Sequence, residues 1–268
     1  MGCALTTIKS TLCKILLALS IVTLPLSAFA APPLANFPKE MRYRIAWNNI
    51  KIGRVIIETK QDSYRYRMVL DTKTTGLAKL FNPLESVTWA AGRFYDDHII
   101  PQEYRAQSES DEGKGRTAYL TFDEEGLLTT RETNPVDDPS WRPEVPLEEA
   151  REAYDPVTAF FVLRKTMYEN VNRRIKDTYV KTYDGRRLAE LHFKAINNGT
   201  KMRNDTVVPI INIVVFRKPI NGYTPKELKK FDKGDPKVHV YFSADTRFIP
   251  LEFEIYHWSG TITASLEE

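Results

Sequence analysis

The side chains in this sequence best suited to chemistry are four histidines and three short runs of acids, and their spacing points away from catalysis. His98, His192, His239 and His257 include no pair at the one-turn or two-residue spacing that would set two imidazoles on one ion. They read as solvated or structurally satisfied, so no metal site is expected. Asp96-Asp97, Asp123-Glu124-Glu125 and Asp137-Asp138 are adjacent acids in turn-like segments. General acid–base work needs two carboxylates in unlike environments, whereas neighbouring acids in a turn share the same water. A Gly-x-Ser-x-Gly elbow, a phosphate loop and a dinucleotide fingerprint are all missing from the sequence. The expectation is a chain with no catalytic residues and no cofactor, not an enzyme.

The first thirty residues bear on where the chain works. Lys9 and Lys14 make a basic start, and Ile15 to Phe29 is an apolar run of secretory length. Ala28-Phe29-Ala30 presents small residues where a signal peptidase reads, which predicts cleavage after Ala30 and export of residues 31–268. The run is short for a retained anchor. Both cysteines, Cys3 and Cys13, fall inside this leader. The exported part then has no disulfide, no thiol nucleophile and no cysteine-bound metal. Removing two lysines from 38 basic residues leaves 36 against 35 acids. Near neutrality argues against a nucleic-acid partner. No later stretch is apolar enough to span a membrane.

The elements that would position any site are mostly strands. Met41 to Trp47 alternates, with Met41, Tyr43, Ile45 and Trp47 expected on one face. Asn48-Asn49 reads as a turn, and Gly53 as a bulge or close approach in the returning strand. Strands at roughly ten-residue spacing then continue to about Thr133. Pro135, Pro139, Pro143 and Pro146 break the pattern, making about 134–153 a loop or linker. Asp155 and Pro156 cap a helix over about 156–169. Strands resume at Asp177. Asp184-Gly185 signals a hairpin, and Thr224-Pro225-Lys226-Glu227 is a capping box for a short second helix. Asn197 to Asp205 is polar and reads as a mobile loop. Strand-rich halves flank one helix, like two arms of one sheet.

The pattern predicts a single β-rich domain over residues 31–268. Its fold class is mainly β: an antiparallel sheet with a central helix. A curved sheet needs many large side chains or a ligand to fill it. Thr74 to Pro83 is apolar without strand alternation, and reads either as a lid closing the sheet or as a flap over an apolar cavity. If a cavity exists, Trp47, Leu77, Phe81, Trp89, Phe160 and Phe161 are its expected ligand-binding residues.

Three stretches carry a family resemblance: Tyr43 to Gly53, Tyr154 to Arg164, and Val240 to Leu251 running on to Gly260-Thr261-Ile262-Thr263. Together they resemble the domain of unknown function 3108 family of exported bacterial proteins, over roughly residues 40–266. The resemblance implies a Gram-negative periplasm. It also implies one strongly curved antiparallel sheet, an open half-barrel or incomplete barrel, similar to that of periplasmic lipoprotein-carrier proteins, which holds acyl chains against a helical plug. It brings no catalytic residues. The expected function is a periplasmic, non-enzymatic binder of an apolar ligand (a lipid or lipoprotein acyl chain) or an envelope-assembly factor with protein partners. The alternatives are an interaction protein with a filled core, and a hydrolase of cell-wall glycan with two carboxylates facing one cleft.

Overall fold

A computed structural model describes residues 37–76, 84–95, 98–110, 115–170, 177–232, 237–257 and 260–267. The leader, Leu77 and Phe81 lie outside these residues. The first arm holds β1 (Glu40–Trp47), β2 (Ile50–Gln61), β3 (Arg65–Thr74), β4 (Leu84–Tyr95), β5 (His98–Ser110), β6 (Arg116–Phe122) and β7 (Leu128–Asn134). Two helices follow, α1 (Leu147–Ala150) and α2 (Pro156–Glu169). The second arm holds β8 (Thr178–Tyr183), β9 (Leu188–Arg203), β10 (Thr206–Asn221), α3 (Pro225–Asp232), β11 (Val238–Ser243), β12 (Pro250–His257) and β13 (Gly260–Glu267).

All thirteen strands form one antiparallel sheet, ordered β7-β6-β5-β4-β3-β2-β1-β13-β12-β11-β10-β9-β8. The two arms join where β1 pairs with β13, from Arg42 opposite Glu267 to Trp47 opposite Ile262. The sheet is open, with β7 and β8 as its edges. The architecture is therefore mainly β, as the alternation predicts, and an incomplete barrel, as the resemblance implies.

Turn chemistry explains the hairpins. Asn48 and Asn49 hold φ of 47° and 68°, and Asn204 and Asp205 hold 43° and 61°. Asn and Asp tolerate this left-handed region better than most residues. The second turn overturns the loop expected over Asn197–Asp205. Asn197 to Arg203 belongs to β9, with Gly199 opposite Ile210 and Lys201 opposite Val208. Its polar side chains are those of a sheet surface, not of an unstructured segment. The capping box is present as read: Glu227 N–H donates to Thr224 Oγ1 at 3.2 Å, and Thr224 N–H donates to Glu227 Oε2 at 2.8 Å.

The inner face is defined by buried rows that cross strands. One runs Thr59, Met68, Ala90, Tyr104, Leu120 through β2 to β6, each opposite the next, and all five are buried. Leu120 is followed on β7 by Arg131. Arg131 reaches the far edge of the sheet, donating from Nη1 to Tyr183 Oη on β8 at 3.1 Å and to Val145 O at 2.9 Å.

A second arginine completes this seam. Arg186, in the β8–β9 turn, donates to Thr117 O at 3.3 Å and Pro135 O at 3.0 Å. It also pairs with Asp137 at 2.5 Å, which lies 3.1 Å from Arg142. Tyr154 bridges to Thr182 on the outer side of β8. The proline-rich linker thus supplies the acceptors that draw the two edges together. Its prolines cost nothing in ladder bonds because they lie outside the ladder.

Candidate functional site

The hollow of the sheet is occupied by α2. Asp155 caps the helix, accepting from the backbone N–H groups of Val157 and Thr158 at 2.9 Å each. Thr158 Oγ1 donates to Asp155 Oδ2, and lies 2.6 Å from Tyr66 Oη on β3. This chain of hydroxyls ties the helix start to the sheet. Tyr66 comes close because Gly92 leaves room: a Cβ there would sit 2.4 Å from the Tyr66 hydroxyl. Asp155 is fully buried, and that burial pushes its carboxyl up to about 6 against the hydrogen bonds it accepts.

One turn on, Phe161 sits at the centre of an aromatic cluster. Its ring lies 4.6 Å from Tyr66, 6.2 Å from Phe94 and 6.2 Å from Phe160. Phe160 in turn lies 6.1 Å from Phe37 and 6.2 Å from Phe242. Leu163 and Met167 continue the buried face toward Ile213 and Phe248. Burying a ring such as Phe161 stabilises the fold by about 2–3 kcal/mol. The helix therefore fills this space with its own side chains.

Of the expected cavity residues, Phe160 and Phe161 are brought together and the tryptophans are not. Trp47 is 43 % exposed. The register of β1 on β2 shifts between Ile45 and Ala46, so Ala46 takes the buried place that strict alternation gave to Trp47. Trp89 comes one residue before the inward Ala90 and points outward. With Arg105, Tyr119 and Glu132 it forms one cross-strand row lining an open groove of about 480 Å³. The Arg67 guanidinium lies 5.3 Å from the Trp89 ring.

The one charged residue on the buried face of α2 is Arg164, 1 % exposed. Its Nη2 donates to the carbonyl of Arg247 in the β11–β12 turn, and its guanidinium lies 4.0 Å from the Phe37 ring. Nε and Nη1 have no hydrogen-bond partner. Burial pulls its pKa down to about 9, which leaves it charged at neutral pH. The sequence marks Arg164 only as an interruption of an apolar stripe. Its orphaned donors appear only once the fold is assembled.

A second polar cluster, on the outer face, was not legible in the sequence. Lys201 donates to Glu252, and to Glu254 at 2.7 Å. Tyr241 and Tyr256 donate to Glu254 at 2.8 and 2.5 Å, and Ser265 donates to Glu252 at 3.0 Å. Burial and the neighbouring Glu254 push Glu252 up. Burial also works to raise Glu254, but hydrogen bonding with Glu252, Lys201 and the two tyrosines outweighs it and holds Glu254 low. The two carboxylates meet on one ammonium rather than flanking a cleft. Among the described residues no group of three His, Cys, Asp or Glu side chains is placed to hold a metal ion. No described helix is long and apolar enough to cross a membrane.

Fold and site together define a β-barrel-like protein with an open sheet, a helix seated in its hollow, and hydrogen-bonded polar networks at the seam between its edges and on its outer face. The chain belongs to the family described as "Protein of unknown function (DUF3108)", which it matches over residues 42–267. A search of curated proteins gives no match. Among solved structures, one similar chain is described as a beta-barrel-like protein of domain of unknown function DUF1849 from Brucella abortus. It shares 10 % identity at a TM-score of 0.49, covering 88 % of this chain and 98 % of that one.

Proposed function

We propose that this chain is an exported, non-enzymatic protein of the bacterial periplasm that acts through protein contacts in envelope assembly. The observation that carries this reading is the filled hollow: Phe161 is fully buried and its ring neighbours close the space an apolar ligand would need. A carrier of acyl chains needs a concave apolar site open to its cargo. Two exposed apolar cross-strand pairs lie elsewhere, at hairpin ends. Trp47 is opposite Ile50, and Met202 is opposite Val207, each of the four at least 43 % exposed. Aromatic and methionine side chains of this kind are enriched at protein interfaces. On this reading Trp47 is a contact residue.

Native mass spectrometry of protein purified gently from its own envelope fraction, with lipid extraction, tests the claim. A mass free of lipid, unchanged on incubation with membrane lipids, is the expected result. A photo-crosslinker at Ile50 or Met202 should then capture discrete envelope proteins. A reproducible co-purifying lipid or acylated peptide would replace this reading with the carrier reading.

A further inference from the structure

Arg164 is the most poorly compensated charge in the described molecule. A buried guanidinium normally meets a carboxylate, because leaving a charge unpaired in an apolar site is costly. The contrast lies in the same chain: Arg142, Arg186 and Arg187 are all paired with acids. Arg164 has one carbonyl and one aromatic face, with two of its three nitrogens unbonded. The Phe37 ring lies against it, its helix neighbours Leu163 and Met167 belong to an apolar cluster with Phe248, and no carboxylate contributes to its charge state.

The cover over this group is thin. The turn that supplies the Arg247 carbonyl has Ala244 to Arg247 exposed on its outer side. Phe248, which follows, is buried yet held at φ 46°. A bulky residue in the left-handed region is strained, and such strain persists at clamps and switch segments. The turn is also held by Asp245 accepting from Arg247 N–H at 3.0 Å and from Ser243 Oγ at 2.9 Å, by Ile249 N–H donating to Ser243 Oγ at 2.9 Å, and by Ala244 N–H donating to Pro209 O on β10 at 3.2 Å. Releasing the Arg247 carbonyl would relax Phe248 and free a third nitrogen.

We propose that Arg164 anchors an anion site, closed by the Ala244–Ile249 turn, whose ligand is a carboxylate or phosphate group. A planar guanidinium with free donors matches the paired oxygens of such groups. A free oxyanion at this site leaves the envelope-assembly reading standing, whereas an amphiphile would replace it. The anion has two possible sources, a free oxyanion or the head of an amphiphile whose tail meets the aromatic surroundings.

Isothermal titration of the purified protein distinguishes them, using dodecanoate below its micelle concentration, dodecanol, and inorganic phosphate. Arg164→Met and Arg164→Lys are titrated in parallel. Arg164→Met should fold, since replacing a poorly paired buried charge by an apolar chain is often neutral or stabilising. The expected result is binding of phosphate, weakened about tenfold to a hundredfold in Arg164→Met and only partly restored in Arg164→Lys. Binding of dodecanoate over dodecanol with the same dependence on Arg164 supports the site with an amphiphile head and replaces the envelope-assembly reading. No binding of either anion, or affinities unchanged in Arg164→Met, overturns the proposal.

Discussion

Replacing Asp155 by Asn should change how stability depends on pH, and the size of the change follows from the burial of the carboxyl. Its pKa rises from 3.8 to about 6 on folding. A shift of about two units, at about 1.4 kcal/mol each, amounts to about 3 kcal/mol. Between these values the native chain keeps a proton that the unfolded chain has released. The contribution is therefore fully present below pH 3.8 and is lost as pH rises through about 6. Asn does not titrate, yet its Oδ1 can still accept from Val157 and Thr158. Its amide must face the Thr158 hydroxyl, at a cost of about 1 kcal/mol. Urea unfolding of both proteins from pH 4 to 7 isolates Asp155, because every other titration is shared. The stability of the natural protein minus that of Asp155→Asn should fall by about 2.4 kcal/mol across this range, the rest of the change lying below pH 4. A flat difference would mean that burial is not the dominant influence. A rising difference would mean that the helix N-terminus and the hydrogen bonds outweigh burial, and would refute the reasoning.

Three further outcomes are expected. Phe161→Ala should cost about 3–5 kcal/mol in denaturant unfolding, whereas Trp47→Ala should stay within about 1 kcal/mol, since one empties the hollow and the other trims an exposed ring. Arg186→Ala should cost about 3 kcal/mol and raise amide exchange at the edges β7 and β8 more than in β1 and β13; uniform loss of protection would deny Arg186 a special place at the seam. Gly222→Ala should cost more than about 2 kcal/mol, because φ is +80° and a Cβ would lie 1.9 Å from the Arg186 carbonyl oxygen; a neutral thermal melt would contradict this geometry.

The sequence spoke clearly wherever a local rule and the global fold agreed. Asp155-Pro156 starts α2, Thr224 to Glu227 closes a capping box, and Asn48-Asn49 turns the first hairpin. Each needs only neighbouring residues. The sheet as one body with two arms also followed from strand-rich halves around one helix. What escaped depends on partners far along the chain. The bulge after Ile45 reverses the facing of Trp47, and alternation carries no sign of a one-residue slip. Asn197 to Arg203 looked like loop because its hydrogen-bond partners, and those of Lys201, come from other strands. The contacts of Arg131 with Tyr183, and the isolation of Arg164, follow from edges and faces that meet only when the sheet curves. Leu77 and Phe81 fall outside the described residues, so the lid or flap stays a sequence reading.

The pairing of β1 with β13 sets the order in which this molecule can assemble. Asn48 and Thr261, bonded across that junction, stand 213 residues apart in the chain. Non-local pairings of this kind are slow to form, because the loop between them must be closed before they stabilise anything. The first arm can zip as successive hairpins from β1 to β7, but the side of β1 that β13 will take stays bare until the final strand has been made. An unpaired strand flank is a template for the wrong neighbour. For a chain that emerges N-terminus first, the hazard lasts through the synthesis of the entire second arm. An interval in which one side of β1 stays unpaired, ended by the arrival of β13, is built into the topology.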